Sequence, residues 1–120
     1  MSFSQQIRPY VDAELHAAWT DPDGGFTHLE RAHVLGQAST RMHVRVHWHM
    51  LKWAWRHRDA REFFGQLLRI LGAATKTVFG MVPSGNTGGA NVSPVKPMPI
   101  EPELADIIER ARRVGCDERA

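Results

Sequence analysis

The sequence predicts an all-α protein. Three observations carry that reading: apolar residues recur at helical spacing up to about Met81, no segment makes a good strand candidate, and Pro and Gly collect in one block between Met81 and Glu101. The expected architecture is a set of antiparallel helical hairpins, tetratricopeptide-like or a small bundle, with a Gly/Pro-rich loop and a C-terminal helix. A first helix is expected over residues 4–19, where Ile7, Tyr10, Val11, Leu15 and Ala18 mark one side. Pro9 fits it only if the helix starts late or bends there. Thr20-Asp-Pro-Asp-Gly-Gly25 reads as a turn. A second helix spans 26–36 and stops at Gly36. A third spans 39–57, with Ser39 as its N-cap. Asp59-Ala-Arg-Glu62 has capping-box spacing and opens a fourth helix over 59–80. Residues 81–101 form an irregular loop, and a last helix covers 102–113. A shift of 36 residues superposes Trp19 on Trp55, Asp23 on Asp59, Leu35 on Leu71 and Gly36 on Gly72, a loose repeat that supports antiparallel neighbours.

Composition limits the function classes. A chain of 120 residues fits one domain, 1–120, and 42% hydrophobic with 23% charged residues is ordinary globular usage, which argues against a disordered or fibrous chain. The net charge of +2 is too small to argue for a nucleic-acid partner. Cys116 is the single cysteine, so neither an intrachain disulfide nor a multi-thiolate metal site can form, and a reducing compartment is expected. Met1-Ser-Phe-Ser-Gln-Gln-Ile-Arg-Pro9 lacks the apolar run of a signal peptide, and no stretch approaches the ~18 apolar residues of a membrane span. A cytoplasmic location is therefore expected, with no membrane partner.

The candidate site comes from helical wheels. On the third helix Arg41, Arg45, Lys52 and Arg56 fall within an arc of about 60°, which sets the solvent face. His43 and His47 lie on the opposite, apolar arc one turn apart, where both imidazoles can reach one point. His49 and His57 lie at the edge and the end of that helix and are poorer candidates. On the second helix Glu30 and His33 share a side with Phe26, opposite His28 and Arg31. On the first, Glu14 falls inside the apolar arc while Asp12 and His16 point away. Burying a carboxylate costs several kcal/mol unless it is neutralised, paired or metal-bound. A shared metal ion explains all five residues, Glu14, Glu30, His33, His43 and His47. Glu-x-x-His on one helix, Glu on another and His-x-x-x-His on a third resemble the inward ligand sets of carboxylate-bridged bundles, although a second Glu-x-x-His is missing. Such a set suits zinc, iron, manganese, nickel, cobalt or copper. The bland alternative is a set of buried histidines bonded to nearby carboxylates and carbonyls.

In the loop, Gly85, Asn86, Thr87, Gly88 and Gly89 can form a ligand or lid segment whose backbone amides would suit a small anion. The competing reading is an extended strap that packs Val92, Val95, Met98 and Ile100 on the helices. Trp48, Trp53 and Trp55 read as packing residues. Glu62, Gln66, Arg69 and Lys76 read as the wet face of the fourth helix, with Glu62 a further ligand if that helix turns inward. No zinc-protease His-Glu-x-x-His and no Gly-x-Ser-x-Gly elbow occurs.

His28-Leu-Glu-Arg-Ala-His-Val-Leu-Gly-Gln37, His43-Val-Arg-Val-His-Trp-His-Met50 and Pro83-Ser-Gly-Asn-Thr-Gly-Gly-Ala-Asn-Val92 resemble a small bacterial family of unknown function. The resemblance covers most of the chain. It brings no activity, and it implies that Glu30, His33, His43, His47 and the glycine loop belong to one unit. The expectation is a metal-binding helical protein, an enzyme if a coordination position stays open. The alternative is a helical protein–protein interaction module, with peptide or homo-oligomeric partners, whose buried His and Glu are structural.

Overall fold

A computed structural model describes residues 2–22, 24–76, 88 and 98–117, with side chains described to residue 71 in the fourth helix and to residue 114 in the last. The described chain is all-α, and its helices are α1 (Phe3–Thr20), α2 (Gly25–Gly36), α3 (Thr40–Arg56), α4 (Ala60–Lys76) and α5 (Pro102–Asp117). No helix among the described residues is long and apolar enough to cross a membrane.

Local chemistry sets the helix ends. Ser2 and Gln5 close a reciprocal capping box at the start of α1, with Gln5 Oε1 accepting from the Ser2 N–H at 2.8 Å. That start lets the helix run through Pro9 rather than begin after it. The Asp21 carboxylate accepts from the Gly24 N–H at 3.1 Å and folds the turn into α2. Ser39 occupies the N-cap position of α3, yet its hydroxyl makes no capping bond. At the far end of α3, Arg58 takes the left-handed conformation (φ 54°) while Asp59 N–H donates to Ala54 O and Arg58 N–H to Trp55 O. This is the Schellman ending that usually employs glycine. Asp59 then caps α4 by accepting from the Glu62 N–H at 3.0 Å. The Asp59 N–H, donor of the reciprocal half expected of a capping box, donates to Ala54 O, and Glu62 Oε1 accepts from Gln66.

The core is shared by four helices. Ile7, Val11, Leu15 and Ala18 of α1 meet Leu29, Ala32 and Leu35 of α2, Met42, Val46 and Met50 of α3, and Leu104, Ile108 and Ala111 of α5. α1 packs on α2, α3 on α2 and α4, and α5 on α1 and α2. Among the described helices α4 touches α3 alone and gives no side chain to this core. Arg31 of α2 ties the outer edge together: its guanidinium donates to Glu14 Oε1 of α1 at 2.9 Å and to Glu101 Oε2, just ahead of α5, at 2.6 Å.

Candidate metal centre

Helical spacing places His43 and His47 one above the other on the inner side of α3, and the short 37–39 connection folds α2 back so that His33 faces them. The three rings stand at the corners of a nearly equilateral triangle, with centroids 4.8, 4.7 and 4.9 Å apart. Their Nε2 atoms point inward: His33 Nε2 lies 3.0 Å from His43 Nε2 and 3.1 Å from His47 Nε2. All three side chains are buried, His47 to 2% exposure. Three histidine nitrogens within 4.8 Å of one another form a group able to hold a metal ion.

The environment fixes the proton on His47 Nδ1. Gln66 of α4, fully buried, points its Nε2 at two acceptors, Glu62 Oε1 at 2.7 Å and Gly88 O at 2.9 Å. Reversing the amide would set its oxygen against two other oxygens, so Oε1 must be the atom that faces His47 Nδ1, at 2.5 Å. An amide oxygen only accepts, hence His47 Nδ1 carries a proton, and whenever the ring is neutral its lone pair is on Nε2, toward His33 and His43. A partner that orients an imidazole through its remote nitrogen is the usual second layer around a metal-bound histidine.

Distances weigh the alternatives. Metal–nitrogen bonds of about 2.0–2.1 Å put neighbouring donor atoms roughly 3.3 Å apart in tetrahedral and roughly 2.9 Å apart in octahedral geometry. The separations from His33 Nε2 to His43 Nε2 and to His47 Nε2 lie between those limits, and all three donor atoms lie within 4.8 Å of one another. A single N–H···N hydrogen bond has the same length, so the convergence of a third nitrogen is the informative feature. One proton on His33 Nε2, or one cation, relieves the repulsion of the three lone pairs.

Gly88 is the residue of the expected ligand loop that lies within the described structure. It is buried, it has φ +81°, and a Cβ added there would stand 2.4 Å from His33 Cδ2. Backbone conformation and close approach to the imidazole thus both require glycine. Gly85, Asn86, Thr87 and Gly89 lie outside the described residues, as do the strap positions Val92 and Val95.

The structure gathers His33, His43 and His47 and does not bring Glu14 or Glu30 into that group. Glu14 sits at the α1–α2 flank, where its Oε2 is 2.7 Å from His28 Nδ1 and its Oε1 accepts from Arg31. His28 and Arg31, expected to point away, thus supply the neutralisation that a metal was invoked to give. The hydrogen bond to Glu14 raises the His28 pKa above its ordinary value, aided by Asp21 at 3.1 Å and opposed by burial. Glu30 is half-buried on the same helix as His33 and outside the triad. His49, at the edge of α3, accepts from Trp19 Nε1–H at 3.0 Å; burial, with Lys52 and Arg45 nearby, pushes its imidazole down to about 4.

Two further expectations change. Gln66 and Glu62, expected on a wet face, are buried behind the triad. Glu62 does turn inward, but to bond Gln66. Trp53 packs against the core, whereas Trp48 and Trp55 are exposed. The signal was available: on a 100° wheel both fall within about 40° of the Arg41–Lys52 stripe. The wheel gives no such signal for Gln66, because it shares a polar face with Glu62 that the same rule assigns to solvent.

No curated protein and no solved structure matches the chain. A family described as "Protein of unknown function (DUF3703)" matches residues 4–108, a span that contains all three histidines, Glu62, Gln66 and Gly88, and the chain belongs to that family.

Proposed function

We propose that this protein binds one divalent first-row transition-metal ion through His33, His43 and His47. The observation that carries the reading is the convergence of three buried imidazole nitrogens, one of them held in the ligating tautomer by Gln66. An all-imidazole set suits zinc, copper, nickel, cobalt or iron better than magnesium or calcium, which prefer oxygen donors. Three protein ligands leave a coordination position open, the pattern of a site that activates water or receives an exogenous donor. Gly88 covers the His33 side, and Gln66 links His47 to the carboxylate of Glu62.

Elemental analysis of untagged protein, before and after chelation and reloading, tests the proposal. The expected result is one ion per chain, lost together with thermal stability in His33→Ala, His43→Ala and His47→Ala. Failure to take up zinc, iron, manganese, nickel, cobalt or copper would overturn it. Stability losses in these variants with metal content intact would assign the histidines to packing.

A further inference from the structure

We propose that the outward face of α4 is the interface between two copies of this chain. Phe64, Leu67, Leu68 and Leu71 recur at i, i+3, i+4 and i+7 and fall within an arc of about 100° on α4. An amphipathic helix normally turns that arc to the core. Here it is turned out: Phe64 is 64% exposed and Leu68 74%, while the opposite, polar side carries Glu62 and Gln66 inward to His47. The polar face is committed to the histidine cluster, so rotating the helix would break the network. The apolar face must then be covered by something else.

The neighbouring surface continues it. Trp55, 74% exposed, leans on Phe63 at 5.5 Å between ring centroids, and Phe63 meets Phe64 edge to face at 5.5 Å. Beside this ridge lies a depression of about 470 Å³ whose walls include Trp55, Phe63 and Phe64 and the charged Arg58 and Asp59. A ridge next to a depression is self-complementary: about a twofold axis, the ridge of one copy enters the depression of the other, and the reverse contact forms at once. The four stripe residues are uncharged, and Arg58 and Asp59 supply one charge of each sign at the depression. Area supports a second copy as the occupant. With aromatic side chains of ~150–250 Å² and comparable leucines, the exposed portions sum to on the order of 600 Å² per copy. Two copies would bury roughly 1,200 Å², the lower bound of specific, stable interfaces.

The test is sedimentation equilibrium with light scattering on the untagged full chain, from about 1 to 100 µM, with and without chelator so that the result stands apart from metal content. A dimer is expected, and the double variant Leu68→Glu, Leu71→Glu should be monomeric with its helical circular dichroism retained. If that variant loses helicity, Leu68→Gln decides: its dissociation constant should rise at least tenfold. A monomer across the whole range overturns the proposal and leaves the face to residues 77–97 or to another protein. A dimer unaffected by these substitutions overturns it equally, because the contact would lie elsewhere.

Discussion

Replacing Gln66 by leucine keeps the volume of a fully buried side chain and deletes three hydrogen bonds at once. Three consequences follow. Glu62 Oε1 and Gly88 O each lose a donor, and His47 Nδ1–H loses its acceptor. Buried groups that lose a partner cost about 1–3 kcal/mol each, partly recovered by relaxation, so a total of about 2–4 kcal/mol is expected. His47 is also freed to place its proton on Nε2, which removes a ligating lone pair from the triad. Loss of such an orienting partner lowers metal affinity about 10–100-fold. Gln66→Glu separates the two effects, since a carboxylate still accepts from Nδ1–H but stands beside Glu62, so it should retain more metal affinity than stability. The assay is competition with a chromogenic chelator for zinc, paired with urea unfolding of the apoprotein. A folded Gln66→Leu protein whose zinc affinity stays within about twofold of wild type would refute the claim that Gln66 sets the His47 tautomer.

Gly88→Ala meets both a positive φ and a contact of 2.4 Å with the His33 ring; a loss of about 2–4 kcal/mol is expected in thermal unfolding, with weaker metal binding because His33 must move. Arg58→Gly relieves a left-handed residue at the end of α3 and should raise stability by about 0.5–1 kcal/mol, read as a higher urea midpoint at unchanged slope. For His28, whose folded pKa is raised by Glu14, the pairing contributes fully below the unfolded value of 6.5 and is lost as pH rises through the raised folded value. Wild type should exceed His28→Gln by about 0.5–1 kcal/mol near pH 6, and the difference should shrink on the alkaline side; a constant difference across that window would place the effect in packing. Arg31→Met removes the tie between Glu14 and Glu101 and should cost about 1–3 kcal/mol in urea unfolding, less at high salt.

The sequence by itself determined the all-α class and the inner position of His43 and His47. Both follow from the 3.6-residue period, which fixes the direction of each side chain about its own helix axis. The charged face of Arg41, Arg45, Lys52 and Arg56 confirmed that direction, since all four are exposed. His33 was legible as inward-facing, but its distance to the other two depends on how the 37–39 connection sets α2 against α3. Only the tertiary structure decided which carboxylates join the histidines. A wheel says that Glu14 lies within an apolar arc; it does not say that His28 and Arg31 of the next helix reach across to meet it. Most of all, tertiary structure decided the sense of α4. Its pattern has one polar and one apolar side, and the rule that apolar faces turn inward assigned Gln66 and Glu62 to water. The helix is turned the other way, so that one buried amide bonds His47 on one side and Glu62 and Gly88 on the other.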